Sequence, residues 1–159
     1  MTKNLTPSFK IKLVSVLQEV NDKYYGINAG GCGAFAKILS DILEPKGFNI
    51  QYVLVSRSKD TISNINKNVS NINDDAIKEI IDETWEHVML LIDDQLIDST
   101  GIYKSLLERA TYENYLVSTP IPKECFEILT SEKYASMWTK RFNRDLIPYI
   151  AKEMHQLLN

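Results

Sequence analysis

The fold is decided in the middle of the chain by residues 85–99, which read Trp85-Glu86-His87-Val88-Met89-Leu90-Leu91-Ile92-Asp93-Asp94-Gln95-Leu96-Ile97-Asp98-Ser99. Residues 85–92 are apolar on both alternating sets of positions, a pattern typical of a central strand that is covered on two faces. Asp93 and Asp94 predict a turn, after which residues 95–99 return as the partner strand. The stretch therefore predicts an antiparallel hairpin at the centre of a sheet.

Helices are predicted before this hairpin. Thr6 and Pro7 suit the N-cap and first position of a helix whose apolar residues recur at three- and four-residue steps as far as about Tyr25. A second helix is predicted from about Cys32 to Leu43. The β-branched and aromatic residues 49–56 then predict a strand, the polar residues 57–73 a mobile loop, and residues 74–83 a short helix.

The part of the chain after the hairpin predicts one more strand and three helices. The strand covers residues 112–121 and is expected at an edge, because Pro120 and Pro122 cannot donate to a neighbour. The helices are expected over residues 123–129, from 131 to about 144, and onward to Leu158. The fold class is thus α+β, with N-terminal helices packed on an antiparallel sheet and further helices at the C-terminus, in a single domain covering residues 1–159.

Composition narrows the classes of function. The 159 residues are 44% hydrophobic and 25% charged, which suits an ordinary globular domain. The net charge of −3 argues against nucleic acid as a partner. The longest purely apolar run, residues 88–92, is far too short to span a membrane. The absence of an apolar signal core and of a disulfide framework predicts a cytoplasmic protein. The dispersed cysteines and histidines predict no metal site, and no cofactor is expected.

A cysteine in a glycine-rich run is the strongest candidate for chemistry. Cys32 follows Gly30 and Gly31, precedes Gly33, and stands where the second helix should begin. The positive end of a helix dipole lowers the pKa of a thiol, and only the thiolate is a good nucleophile. Cys32 is therefore predicted to be a nucleophile, although its apolar register also suits a small buried core residue.

The hairpin brings a histidine and an aspartate within reach of each other. If Asp93-Asp94 is a two-residue turn, Met89 lies opposite Asp98, and His87 becomes the diagonal neighbour of Asp98 at about 7 Å. A loop with an odd number of residues would send Asp98 to the wrong face. An imidazole beside the thiol, oriented by a carboxylate, would complete a catalytic triad. The alternatives are a core histidine at His87 and a turn-forming aspartate at Asp98.

These residues resemble a known superfamily over about residues 26–101. A cysteine at the head of a helix, followed by His and Asp on consecutive strands, resembles the papain-like and transglutaminase-like cysteine enzymes. Cys32-Gly33 with Ala36 and Leu39 is similar to bacteriocin-processing peptidases. His87-Val88 with residues 98–101, Asp-Ser-Thr-Gly, is similar to transglutaminase-like and arylamine N-acetyltransferase-like proteins. The resemblance implies a papain-like or transglutaminase-like topology.

Two departures from those families bear on the chemistry. The papain-like pattern has an oxyanion-donating glutamine about six residues before the cysteine, where this chain has Gly26; Asn28 is the nearest amide that could replace it, together with the Cys32 backbone N–H. The acetyltransferase pattern has an arginine and a glutamate where this chain has Ala29 and Ala34, which favours hydrolysis over acetyl transfer from coenzyme A.

The sequence thus predicts a thiol-dependent hydrolase that acts on an amide, peptide or ester bond. The catalytic residues would be Cys32, His87, Asp98 and Asn28, and the substrate a protein, a peptide or a small amide or ester. The alternatives are an inert domain of the same fold that binds or inhibits a protein, and an acyltransferase or transglutaminase-type enzyme.

Overall fold

A computed structural model describes residues 2–28, 30–56, 73, 75, 85–109, 117–133 and 142–159. The first helix, α1, covers Pro7–Lys23, and the side chain of its N-cap Thr6 accepts a hydrogen bond from the Phe9 N–H. The second helix, α2, covers Cys32–Leu43 as predicted. It runs into a short 3-10 helix, Glu44–Lys46, and ends at Gly47, whose φ of 92° favours glycine.

The sheet has five strands, all paired antiparallel. In chain order they are β1 (Gln51–Ser56), β2 (Trp85–Ile92), β3 (Gln95–Asp98), β4 (Gly101–Tyr103) and β5 (Val117–Ile121). Their order across the sheet is β4-β3-β2-β1-β5. The hairpin strand β2 is therefore central and β5 lies at an edge, both as predicted, and the fold class is α+β.

Three short helices follow the hairpin in the described chain: α3 (Leu106–Arg109), α4 (Lys123–Leu129) and α5 (Ile147–Leu158). Neither β4 nor α3 was expected, because Ser99-Thr100-Gly101 had the composition of a loop. The helix predicted to end near Arg144 is wrong at that end. Asn143 has an extended backbone, and its side chain accepts the Asp145 N–H to start a 3-10 helix over Arg144–Leu146.

Several predictions fall outside the described residues. Two of them are the loop over 57–73 and the helix over 74–83, of which only positions 73 and 75 are described. The others are the first part of the strand, at 112–116, and the helix between residues 134 and 141.

Buried side chains pack α2, including Cys32 at its start, against the sheet. The larger cluster of buried side chains joins α1, α2 and α5 to one sheet face, and it includes Leu17, Phe35, Leu54 and Leu90. A smaller cluster on the other face contains Val53, Val55, Met89 and Leu96. Among the described helices, none has the length and apolar character needed to cross a membrane.

Candidate active site

The turn before α2 fixes the position of Cys32. Gly30 has a φ of 102°, which few residues other than glycine adopt. A Cβ on Gly31 would lie 2.7 Å from the carbonyl oxygen of Ile27, so only glycine fits there. The Gly31 N–H bonds back to the carbonyl of Gly26, and the Gly31 carbonyl accepts the Phe35 N–H of the first helical turn. Cys32 is consequently the first residue of α2, as the sequence predicted.

The hairpin has the two-residue loop that the sequence required. Asp93 and Asp94 have φ values of 50° and 58°, which are typical of a type I′ turn. Ile92 pairs with Gln95, and the even loop keeps His87 and Asp98 in contact. Nε2 of His87 lies 2.8 Å from Oδ2 of Asp98. The diagonal pair expected from the strand register is thus formed.

The pairing of β2 with β3 ends before Val88, which leaves the Val88 N–H without a partner in β3. Pairing between these strands stops at Leu90 and Ile97. Val88, two residues before Leu90, directs its N–H to the same side of β2, and this N–H helps to lower the pKa of the Cys32 thiol. A register shift of β2 against β1 next to His87, between Val55 and Ser56, adds a local bend.

The thiol of Cys32 is nearly buried but has polar partners. Burial by itself raises the pKa of Cys32. The positive charge of His87, a hydrogen bond with its ring, and the N–H groups of Val88 and Gly33 outweigh burial, so the pKa lies below that of an ordinary thiol. Since Nε2 of His87 bonds Asp98, Nδ1 is the ring nitrogen left for the sulfur. The arrangement favours a thiolate next to an imidazolium.

The pKa of the His87 imidazole is raised, whereas that of the Cys32 thiol is lowered. Burial lowers the pKa of its ring, but the charge of Cys32, the hydrogen bonds to Asp98 and Cys32, and the charge of Asp98 raise it to about 9. For Asp98, by contrast, burial alone would raise the pKa. Its hydrogen bond and attraction to His87, the hydrogen bond from Thr100 and the charge of Arg109 instead hold that pKa well below its usual range.

Asp98 forms a turn and contacts the histidine at the same time. Its Oδ1 accepts the Thr100 N–H at 2.8 Å and the Thr100 hydroxyl at 2.6 Å. Its Oδ2 accepts from His87 and from Nε of Arg109, the latter at 2.7 Å. Asp98 therefore makes the turn contact and the histidine contact at the same time, each with its own carboxylate oxygen; its role in orienting the histidine stays a prediction.

Asn28, the fourth predicted residue, is not placed against Cys32 by any contact among the described residues. Its side-chain oxygen is buried and has no hydrogen-bond partner there. A buried amide oxygen without a partner is costly, and a terminal amide can turn to present nitrogen instead of oxygen. Its role as an oxyanion donor stays a prediction.

Sequence reasoning missed two groups at the site, the Val88 N–H and Arg109. The Val88 N–H is available only because the ladder ends early, which no side-chain pattern announces. Arg109 ends the four-residue α3, which is too short for apolar periodicity to reveal. A basic residue 11 positions after Asp98 has no characteristic spacing that would have identified it.

Comparison with known proteins adds no relative: no family model, no curated protein and no solved structure matches the chain. In the part of the chain that the structure describes, no group of three or more His, Cys, Asp or Glu side chains could hold a metal ion.

Proposed function

We propose that the protein is a thiol-dependent hydrolase of an amide, peptide or ester bond, built on a papain-like or transglutaminase-like arrangement. Cys32 would be the nucleophile, His87 the general acid and base, and Asp98 the carboxylate that orients the imidazole. The observation that carries the proposal is the grouping of Cys32, His87 and Asp98: the thiol and the imidazole shift each other's pKa, and Nε2 of His87 lies 2.8 Å from Oδ2 of Asp98.

In the first half of the reaction the Cys32 thiolate attacks the substrate carbonyl carbon. A carbon–sulfur bond forms, and the carbonyl π electrons move to oxygen. When the tetrahedral intermediate collapses, the bond to the amine or alcohol breaks, and that group leaves with the proton held by His87. The product of this half is a thioester on Cys32 and a neutral His87.

In the second half water replaces the leaving group. Neutral His87 takes a proton from water while the water oxygen attacks the thioester carbonyl carbon. Collapse breaks the carbon–sulfur bond, releases the carboxylic acid and restores the thiolate beside protonated His87. The cycle needs only water as co-reactant. It therefore suits hydrolysis better than transfer, for which Ala29 and Ala34 replace the residues of the acetyltransferase pattern.

The oxyanion would form next to the start of α2. No side chain caps this helix at Gly31, so the Cys32 N–H of its first turn is available to a developing negative charge, whereas the Gly33 N–H already serves the sulfur. The Cys32 N–H is the natural first donor. Asn28 is proposed as the second, since its buried side chain has an oxygen without a partner in the described structure and a substrate could engage its amide group.

One observation favours an inert binding domain as a second candidate. Cys32 is only 6% exposed, and a thiol so buried could serve the core alone. In that case the polar series would stabilise the hairpin, and the protein would act by binding a partner. Cys32→Ser separates the candidates, because a binding domain tolerates this change while an enzyme loses its nucleophile.

The test is to trap the acyl-enzyme. The wild-type protein and the Cys32→Ser, His87→Ala and Cys125→Ala variants are incubated with an activated ester at neutral pH and examined by intact-mass spectrometry. We expect one transient acyl group on the wild type and on Cys125→Ala, followed by turnover. Cys32→Ser should take none, and His87→Ala should acylate about a hundredfold more slowly. Equal acylation of all four proteins would overturn the proposal.

A further inference from the structure

Arg109 contacts the proposed triad from outside it. Its Nε lies 2.7 Å from Oδ2 of Asp98, the same oxygen that accepts from His87 at 2.8 Å. The Arg109 side chain is 12% exposed and that of Asp98 is 2% exposed. This ion pair is therefore shielded from water, unlike the exposed Lys37–Asp41 pair on α2.

The charges of the described groups at the site sum to zero when Arg109 is included. A thiolate at Cys32, an imidazolium at His87 and a carboxylate at Asp98 leave one negative charge in a buried place, which is unfavourable without a counter-ion. The guanidinium of Arg109 supplies the missing positive charge and stays protonated at all relevant pH values.

The geometry points to Arg109 as a positioning residue of the Cys32 site: a buried counter-ion that holds Asp98 in place and ionised, so that the carboxylate stabilises an imidazolium at His87 beside the thiolate. This role rests on the proposed function. Thr100 holds one oxygen of Asp98 and Arg109 the other, so the carboxylate cannot rotate away from His87. Arg109 acts through Asp98 and is assigned no contact with substrate.

Few ionisable groups face Asp98 from the described elements around it. His87 comes from β2 and Arg109 from α3, while Tyr103 of β4 reaches it indirectly through a hydrogen bond with the Thr100 hydroxyl. Cys32 of α2 lies beyond His87. Removal of the Arg109 charge should therefore act on the thiol by way of the carboxylate and the imidazole.

The experiment measures the rate of Cys32 alkylation by iodoacetamide against pH. The proteins share a Cys125→Ala background and carry Arg109, Arg109→Lys or Arg109→Gln, and Cys32→Ser gives the blank. Glutamine keeps a hydrogen-bond donor without charge, whereas lysine keeps the charge. We expect Arg109→Gln to raise the apparent pKa of Cys32 by about one unit and to slow alkylation below that pKa about tenfold. Arg109→Lys should stay within about half a unit of wild type.

Each outcome decides one of the two proposals. A lowered pKa in the wild type that neither substitution moves would overturn the role of Arg109 and leave the proposed function standing. An ordinary thiol pKa in the wild type would overturn the proposed function itself. If Arg109→Gln does not fold, as judged by circular dichroism, Arg109→Lys decides alone, because a rise of a full unit with the charge retained contradicts a counter-ion role.

Discussion

The N-termini of α2 and α4 each carry a buried cysteine, yet the pKa values of the two thiols are shifted in opposite directions. Cys32 is the first residue of α2 and 6% exposed; Cys125 is the third residue of α4 and 1% exposed. Burial raises the pKa of Cys125 to about 11, while the pKa of Cys32 is lowered. The comparison teaches that a position near a helix N-terminus does not by itself lower the pKa of a thiol here, and that burial raises it. The activating groups are His87 and the backbone amides around the sulfur.

The largest expected effect comes from removing one cysteine or the other. Cys32→Ser should abolish turnover, by about a millionfold, as loss of a nucleophile does in other triads. Cys125→Ala should leave kcat/KM unchanged and lower the free energy of unfolding by about 1 kcal/mol, because it removes only a buried sulfur. Kinetics on a substrate found by ester screening, with thermal melts of both variants, check this. A loss of activity in Cys125→Ala would break the comparison.

The second prediction concerns Asp98, the carboxylate that is found at the Cys32 site and not near Cys125. Asp98→Asn should slow turnover by about two to four orders of magnitude, because an amide favours the wrong imidazole tautomer. It should also lower the free energy of unfolding by about 3 kcal/mol, since the buried ion pair between Asp98 and Arg109 is lost.

The double variant Asp98→Asn/Arg109→Gln is the matched control for that prediction. It removes the Arg109 charge together with its carboxylate partner and should recover part of the stability without recovering activity. If the double variant recovers activity as well as stability, Asp98 acts on stability alone and its orienting role is wrong.

The smallest expected effect concerns the turn that starts α2, which α4 lacks. Gly31→Ala would press a Cβ against the backbone of Ile27 and should lower the free energy of unfolding by about 1–3 kcal/mol. Gly31→Ser adds the same Cβ but also a favourable capping hydroxyl. Chemical denaturation should find both variants destabilised. A serine variant more stable than wild type would show that the glycine is not required by close contact.

Much of the scaffold could be predicted from the sequence, because its determinants are local. Thr6-Pro7 sets the start of α1, Gly31 and Cys32 the start of α2, and the two aspartates at 93 and 94 the register of the hairpin. From that register the approach of His87 to Asp98 followed by counting. These features depend on neighbouring residues and on a period of two along a strand.

The remaining features of the fold and the site depend on contacts between residues far apart in the sequence, which a local sequence pattern does not reveal. The short strand β4 exists because β3 offers it an edge, and its residues Gly101–Tyr103 resemble a loop. Arg109 meets Asp98 only after β4 and α3 turn the chain back. The Val88 amide reaches Cys32 only because the β2–β3 ladder stops. Such contacts depend on three-dimensional packing, so sequence spacing gave no sign of them.

The central claim is that Cys32 and His87 form a thiolate–imidazolium pair, and the titration of the His87 ring by NMR tests it most directly. The chain has only two histidines, and the second, His155, lies exposed on α5, so the signals can be assigned with one His155→Gln variant. We predict that His87 titrates with a midpoint near its raised pKa of about 9 and that Cys32→Ser lowers this midpoint by more than about one unit, because the thiolate charge is gone. A midpoint at the ordinary value of about 6.5, or one that Cys32→Ser leaves unchanged, would contradict the pair.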